Sequence, residues 1–220
     1  MTKAATRDSG QIPNPRFPVF IPSDVEARLQ KLFALRPSVA FPPNWSDLEN
    51  IWRLLNETQP TTILEFGSGC STAVIWLWLQ RNKPGGCFFS LESDPIWYAA
   101  NQHMIAEMGM LYREDYEPRG GLLFSPVETR SPPFLHYTYQ PLESADFVYI
   151  DGPALHERSR VVDNVADLHP LPECVLVDGR PWQVEMLRAH LLQTHEMEAD
   201  DDAFRAVFKR REEKDPQVQA

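Results

Sequence analysis

The strongest constraint on the fold is an alternation of short β-rich runs and longer helical segments that begins near residue 61. Strands that alternate with helices in this way form a parallel sheet covered on both faces. The predicted strands are 61–66, 86–92, 121–127, 145–151 and 173–178, and the predicted helices between them are 71–82, 95–109, 155–168 and 181–192.

The end of the chain predicts two further strands that complete this sheet. Residues 194–211 contain an acidic turn at 200–202, and Phe204, Ala206 and Phe208 stand at alternate positions after it. We expect this pair to close the sheet in antiparallel fashion. The predicted fold class is therefore α/β, with a seven-stranded, mostly parallel sheet, helices on both faces, an antiparallel last strand and an N-terminal helical extension.

The residues before the alternation predict an arm and a helical extension. Residues 1 to about 20 contain Pro13, Pro15 and Pro18 among polar residues and show no sustained periodicity, so we expect a flexible arm. Two capping-box patterns, Ser23 to Glu26 and Ser46 to Glu49, predict helices at about 24–36 and 47–58. The predicted organisation is a flexible arm at 1–22, a helical extension or lid at 23–59, the α/β domain at 60–211 and a charged tail at 212–220.

Composition excludes several classes of partner. The net charge of −10, with 31 acidic against 21 basic residues, argues against a nucleic-acid partner. The longest apolar stretch, 73–79, is too short to cross a bilayer, and the first residues lack the apolar core of a secretory signal. The three cysteines are far apart, which is typical of a reducing compartment. We expect a cytoplasmic protein without a membrane partner. The oligomeric state stays open, with a homodimer as one option.

A glycine-containing turn follows the first predicted strand. Gly67 and Gly69 permit a tight turn and a close approach of a ligand to the backbone. A dinucleotide-binding loop would have a third glycine where Thr72 stands, and residues 65–74 contain no lysine or arginine to hold a pyrophosphate. The turn therefore favours a ligand without phosphates.

An acidic residue at the end of the second predicted strand supports a nucleoside ligand. Glu92 lies 25 residues after Gly67, where a carboxylate can accept hydrogen bonds from both ribose hydroxyls. S-adenosylmethionine has a sulfonium and an ammonium group but no phosphate, so acidic surroundings suit it. The alternative is that the glycines only form a strand-to-helix turn and that Glu92 is a solvated strand end.

At these positions the chain resembles a known family. Glu65-Phe66-Gly67-Ser68-Gly69 resembles the E-x-G-x-G motif of class I S-adenosylmethionine-dependent methyltransferases, and Ser71-Thr72 resembles a variant found in small-molecule branches. The resemblance covers about residues 60–210. It implies a Rossmann-like fold, S-adenosylmethionine as cofactor and O-methylation of a small molecule such as a sugar or a secondary metabolite. The cofactor-binding residues that it implies are Glu65, Gly67, Ser68, Gly69, Ser71 and Glu92, with Ser93 and Asp94 near the adenine.

The fourth and fifth predicted strands both end in an Asp-Gly pair. Asp151 and Asp178 are expected to face the crevice at the carboxyl ends of the strands. In the family that the chain resembles, the position after the fourth strand lies beside the methyl group, which makes Asp151 a catalytic candidate. Asp151 would act as a base directly or orient His156. The alternative for His156 is a solvated residue at a helix start.

A metal-assisted reaction is a further hypothesis. Asp151 and Asp178 resemble the two carboxylates with which catechol-type O-methyltransferases hold magnesium. Gly179 stands where those enzymes place an amide ligand, so a divalent metal is not favoured. The alternative for Asp178 is an N-cap of the helix that begins near Pro181.

The acceptor site is the least specified part of the sequence. Arg158, together with Arg160 and Arg180, is a candidate for binding an acidic acceptor, while Tyr137 and Asp178 are further candidates for substrate contact. The identity of the small-molecule acceptor stays open. Two alternatives to methyl transfer also stay open, an aminopropyl transferase and a noncatalytic scaffold of the same fold.

Overall fold

A seven-stranded sheet organises the computed structural model, which describes residues 20–35, 43–110, 119–129, 135–153, 160–200 and 205–211. Its strands are β1 Thr62–Phe66, β2 Cys87–Glu92, β3 Arg119–Phe124, β6 Phe147–Ile150, β7 Cys174–Val177, β8 His195–Asp200 and β9 Arg205–Arg210. The strand order is β3-β2-β1-β6-β7-β9-β8, with neighbours parallel from β3 to β7 and β9 antiparallel to both β7 and β8. The predicted sheet with an antiparallel last strand is therefore confirmed.

Helices cover both faces of this sheet, as its apolar strands require. Side chains alternate between the two faces of a strand, so Ile63 and Phe147 join one core while Leu64 and Val148 join the other. Helices α1 Ser23–Phe33, α2 Trp45–Thr58, α3 Cys70–Asn82 and α4 Pro95–Glu107 contribute to the first core, and α5 Val161–Ala166 and α6 Pro181–Leu191 contribute to the second.

The N-terminal helices α1 and α2 are integral parts of the first core. Trp78 of α3 is fully buried, and its indole N–H donates a hydrogen bond to Asn56 Oδ1 of α2 at 2.8 Å. Whether this extension acts as a lid stays a prediction. The predicted arm before residue 20, residues 36–42 and the predicted tail after residue 211 lie outside the described residues. None of the helices in the described ranges has the length and apolar character needed to cross a membrane.

The predicted helix caps are wrong in detail. Ser23 is already the first residue of α1, and the N-cap is Pro22, which offers no side-chain hydrogen bond. The N-cap of α2 is Asn44, whose side chain accepts a hydrogen bond from the backbone N–H of Ser46 at 3.2 Å. The helices begin earlier than expected because the residue that leads into each helix has extended dihedral angles one or two positions before the serine.

The sequence also missed a small hairpin. The third strand runs from 119 to 124 rather than from 121 to 127, and Val127–Glu128 (β4) pairs with His136–Tyr137 (β5) outside the main sheet. Pro126 lacks a backbone N–H and cannot continue a ladder, which separates the two strands. The hairpin occupies the connection between β3 and β6.

Replacement of Asn56 with alanine tests the attachment of α2. The variant leaves the buried indole N–H of Trp78 without this acceptor, so we expect the free energy of unfolding to fall by roughly 1–3 kcal/mol. Urea denaturation measures the change. The control is Glu57→Ala on the same helix, because the contacts of Glu57 with described residues are exposed ion pairs with Arg53 and Lys209, whose loss should cost less than about 1 kcal/mol. Equal destabilisation by both variants would contradict this role of Asn56.

Candidate functional site

The carboxyl ends of β2, β1, β6 and β7 lie side by side and bring the predicted site residues to one edge of the sheet. Backbone hydrogen bonds continue beyond the strands, from Gly67 N to Leu91 O at 2.8 Å and from Asp151 N to Phe66 O at 2.9 Å. Asp178 N donates in the same way to Ile150 O at 2.9 Å. The glycine turn, Glu92, Asp151 and Asp178 therefore lie together at the carboxyl ends of these strands, where a ligand crevice is expected in a sheet of this kind.

The two glycines of the turn have different functions. Gly67 has a φ of +93°, and a Cβ at this position would lie 2.7 Å from the backbone nitrogen of Gly152. A Cβ on Gly152 would meet Gly67 Cα at 2.7 Å in turn. Gly69 has extended backbone, and a Cβ there would have no atom within 4 Å. Gly67 is required where two backbones cross, whereas Gly69 borders open space.

Glu65 supports the turn from inside the protein. Its side chain is fully buried, and its carboxylate accepts hydrogen bonds from Ser71 Oγ and Thr72 Oγ1, both at 2.6 Å. Thr72 Oγ1 in turn accepts a hydrogen bond from the backbone N–H of Gly69 at 2.9 Å. Thr72, which replaces the third glycine of a dinucleotide loop, thus orients Gly69. Direct cofactor contact by Glu65 and Ser71 stays a prediction.

Burial has a strong effect on the ionisation of Glu65. Loss of hydration raises the pKa of this carboxyl from its ordinary value of 4.5 to about 7, although hydrogen bonds from Ser71 and Thr72 act in the opposite direction. The nearby Asp151 adds a smaller upward contribution. Glu65 consequently exchanges its proton near neutral pH in the folded protein.

Glu92 connects the glycine turn to the loop after β2. Its Oε2 accepts hydrogen bonds from Ser68 N at 3.0 Å and Ser68 Oγ at 2.7 Å. Its Oε1 accepts hydrogen bonds from the backbone N–H groups of Ser93 and Asp94, at 2.8 and 2.9 Å. A ligand hydroxyl that binds Glu92 would therefore compete with or displace Ser68. Asn101, which was not among the predicted site residues, donates a hydrogen bond from its Nδ2 to Ser68 Oγ at 2.8 Å and completes this network.

Asp94 serves as the N-cap of α4. Its Oδ1 accepts hydrogen bonds from the backbone N–H groups of Ile96 and Trp97, at 2.7 and 3.1 Å. The carboxylate is therefore occupied by the start of the helix. Contact of Ser93 or Asp94 with the adenine of a bound cofactor stays a prediction.

Asp151 follows β6 at the carboxyl ends of the strands, and its side chain is half-exposed. The exposed fraction of this side chain is 51%. Arg180 forms an ion pair with Asp151 Oδ1 at 3.0 Å and also contacts the backbone carbonyl of Asp151. Desolvation raises the pKa of Asp151 to about 7; Arg180 opposes this rise, and Asp178 and Glu92 add to it.

Asp178 is bound by other side chains at the end of β7. Tyr149 donates its hydroxyl to Asp178 Oδ2 at 3.0 Å, and Arg205 Nε lies 3.5 Å from Oδ1. Asp178 is not the N-cap of α6, because Arg180 occupies that position and no side-chain hydrogen bond caps the helix. That alternative is wrong because Asp178 is two residues too early to reach the first turn.

The side chains at the ends of β6 and β7 do not fit a resident divalent metal. Asp151 and Asp178 each pair with an arginine, and Gly179 has no side chain to contribute. Among the residues that the structure describes, no group of three histidine, cysteine, aspartate or glutamate side chains is arranged to hold a metal ion.

The other predicted acceptor residues lie in different surroundings. Tyr137 is fully buried and its ring packs on Phe66, with centroids 5.1 Å apart. Its hydroxyl faces Gly152, at the backbone crossing. Arg160 forms an ion pair with Asp163 at 3.0 Å. His156 and Arg158 lie outside the described residues, so their predicted functions stay predictions.

A separate cavity of about 500 Å³ lies beside the hairpin. It is lined by Tyr137, Tyr139, Gln140, Asn164 and His169, among others. None of the carboxylates Glu65, Glu92, Asp151 or Asp178 lines this cavity. Of the predicted site residues that the structure describes, only Tyr137 therefore borders it.

The fold is similar to that of solved methyltransferases. SAH-bound PaMTH1 of Podospora anserina is 16% identical over 87% of this chain and 89% of that chain, with a TM-score of 0.58. The O-methyltransferase from Bacillus cereus in complex with SAH is 15% identical over 86% and 92%, with a TM-score of 0.50. A methyltransferase from Geobacter sulfurreducens is 10% identical over 87% and 91%, with a TM-score of 0.55.

These similarities establish the fold. No family model matches the sequence, and no curated protein matches it. The predicted Rossmann-like class I methyltransferase fold is confirmed by the solved structures. At identities of 10–16% the similarity does not extend to the reaction or to individual site residues.

Alanine substitutions at the two glycines should separate their functions. Gly67→Ala forces a Cβ into the backbone of Gly152 at a positive φ, so we expect destabilisation of roughly 3 kcal/mol or more. Gly69→Ala places its Cβ in open space and should change stability by less than about 1 kcal/mol. Urea denaturation of both variants is the measurement. Equal stability of the two variants would refute the backbone-crossing function of Gly67.

The pKa of Glu65 predicts a pH dependence of stability. The folded protein binds the proton more tightly than the unfolded chain, so its contribution makes stability decrease by about 3 kcal/mol as pH rises from about 4.5 to about 7. Glu65→Gln should remove this part of the pH dependence and retain the part due to Asp151. Denaturant titrations between pH 4.5 and 8 measure the difference. Identical slopes for both proteins would show that Glu65 does not titrate in this range.

Proposed function

We propose that the chain is an S-adenosylmethionine-dependent methyltransferase that methylates an oxygen atom of a small molecule. The observation that supports it most directly is the crevice at the carboxyl ends of β1, β2 and β6. There Gly69 borders open space and carboxylates lie on neighbouring strand ends. The glycine turn, residues 65–74, contains no lysine or arginine that could bind a phosphate. A positively charged nucleoside without phosphate fits these features better than a dinucleotide does.

The residues of the turn and of the loop after β2 would hold the cofactor. Gly69 leaves room for the ligand at the start of α3, and Thr72 fixes the direction of its backbone N–H. Glu92 and Ser68 offer a carboxylate and a hydroxyl to the ribose, and Asn101 keeps Ser68 in place. The acidic surroundings favour the sulfonium, and the bound cofactor supplies an activated methyl carbon.

Asp151 is the residue that would accept the proton of the acceptor. It lies next to the glycine turn, since Gly67 contacts the Asp151–Gly152 backbone, and its half-exposed carboxylate is accessible from the crevice. A pKa of about 7 is well matched to a base that works near neutral pH. Arg180 holds the carboxylate in position. Methyl transfer then requires mainly alignment of the acceptor oxygen and removal of its proton.

The charge distribution favours an uncharged acceptor over an acidic one. Arg180 and Arg205, the described arginines at this edge of the sheet, each contact carboxylates of the chain itself. Glu65, Glu92 and Asp151 add negative charge nearby. An acceptor with a carboxylate or phosphate group would meet net repulsion here. The proposed acceptor is therefore a neutral hydroxylated molecule, and the O-methyltransferase from Bacillus cereus, which shares the fold, supports oxygen as the acceptor atom.

Binding of S-adenosylhomocysteine to the full chain tests the proposal. Isothermal titration calorimetry should show one site per chain, and Gly69→Val should weaken binding by at least about tenfold, or about 1.4 kcal/mol, because its side chain fills the ligand space. The control is Gly85→Val, since a Cβ on Gly85 also meets no atom but Gly85 lies in the turn before β2.

The proposal would be overturned by either of two results. One is the absence of heat on titration of the wild-type chain. The other is equal affinity of the Gly69→Val and Gly85→Val variants, provided that urea denaturation shows both to be folded.

A further inference from the structure

Arg205 connects two carboxylates from distant parts of the chain. It begins β9, and its guanidinium contacts Asp47 in the first turn of α2 and Asp178 after β7. Only 13% of the Arg205 side chain is exposed, and the exposed fractions of Asp47 and Asp178 are 21% and 18%. A guanidinium that is this buried requires carboxylate partners, because it has lost most of its hydration.

Both oxygens of Asp178 are committed to neighbours within the protein. Oδ2 accepts the Tyr149 hydroxyl, which is itself buried, and Oδ1 faces Arg205 Nε. These contacts form a network that begins at Tyr149 in the sheet, continues through Asp178 and Arg205, and ends at Asp47 of α2. A metal ion or an acceptor at Asp178 would compete with these contacts.

The neighbouring carboxylate shows the same arrangement. Asp151 at the end of β6 pairs with Arg180, which also contacts the Asp151 carbonyl and is only 15% exposed. A divalent cation between Asp151 and Asp178 would lie close to two guanidinium groups and would be repelled by both. The residue after Asp178 adds no ligand, because it is Gly179.

We infer that Arg180 and Arg205 supply the positive charge at the ends of β6 and β7, and that Asp178 is a positioning residue that attaches α2 to the crevice. A divalent cation has no place in this arrangement. One consequence rests on the proposed methyl transfer: without a metal, the acceptor binds through a single oxygen atom and does not chelate a metal ion through two oxygens.

Manganese binding tests the charge assignment without any methyl transfer. Mn²⁺ is titrated into the full chain, with and without S-adenosylhomocysteine, and free Mn²⁺ is followed by electron paramagnetic resonance. We expect no saturable site with a dissociation constant below about 1 mM. One ion bound per chain and lost in Asp178→Asn would overturn the inference. Because S-adenosylhomocysteine affinity is measured separately, this failure is distinguishable from failure of the proposed function.

Hydrogen exchange tests the positioning function of Asp178. In Asp178→Asn and Arg205→Gln we expect amides of α2, at 45–58, to exchange at least about tenfold faster than in the wild type. The matched control is Arg210→Gln at the other end of β9, which loses only an exposed ion pair with Glu173 and should leave α2 unchanged.

Two further variants keep this test decisive if Arg205→Gln does not fold. Arg205→Lys retains the charge and should protect α2 more than glutamine does, and Asp47→Asn removes the negatively charged partner of Arg205 on α2. Faster exchange in α2 for Asp47→Asn supports the attachment. Unchanged exchange in Asp47→Asn and Asp178→Asn would overturn it.

Discussion

The close crossing of the backbone at Gly67 and Gly152 is the constraint on which the rest of the crevice depends. It presses the turn after β1 against the residue that follows Asp151, with 2.7 Å between Gly67 Cα and a hypothetical Cβ on Gly152. Any side chain at either position would separate β1 from the end of β6. Because of this contact, the proposed cofactor loop and the proposed base are neighbours in space although they are far apart in sequence.

The carboxylates in and around the crevice make hydrogen bonds within the protein that stabilise the surrounding loops. Glu65 holds the hydroxyls at the start of α3, Glu92 holds Ser68 and the loop after β2, and Asp94 caps α4. These bonds satisfy loop donors that would otherwise be unpaired, so the turn is shaped before a ligand arrives. Loss of hydration raises the pKa values of the buried Glu65 and the half-exposed Asp151 to about 7, which limits the net negative charge of the crevice at neutral pH.

Arginines balance the remaining negative charge and connect the crevice to the N-terminal helices. Arg180 forms an ion pair with Asp151, while Arg205 forms ion pairs with both Asp178 and Asp47. The second pairing connects α2 to the carboxyl ends of the strands, in addition to the packing of α1 and α2 in the core with α3. The extension is therefore part of the same structural unit as the sheet.

The sequence by itself determined the order of strands and helices, the glycine turn and the acidic strand ends, because periodicity, glycine and charge act locally and are visible within a few residues. It did not determine the hairpin at Tyr137, the link from Asn101 to Ser68, or the pairing of Arg205 with Asp47 across 158 positions. Nor did it show that Gly67 serves the backbone crossing while Gly69 borders open space. Only the tertiary structure decided these features, since each depends on which distant groups share a buried volume, and no local pattern encodes that proximity.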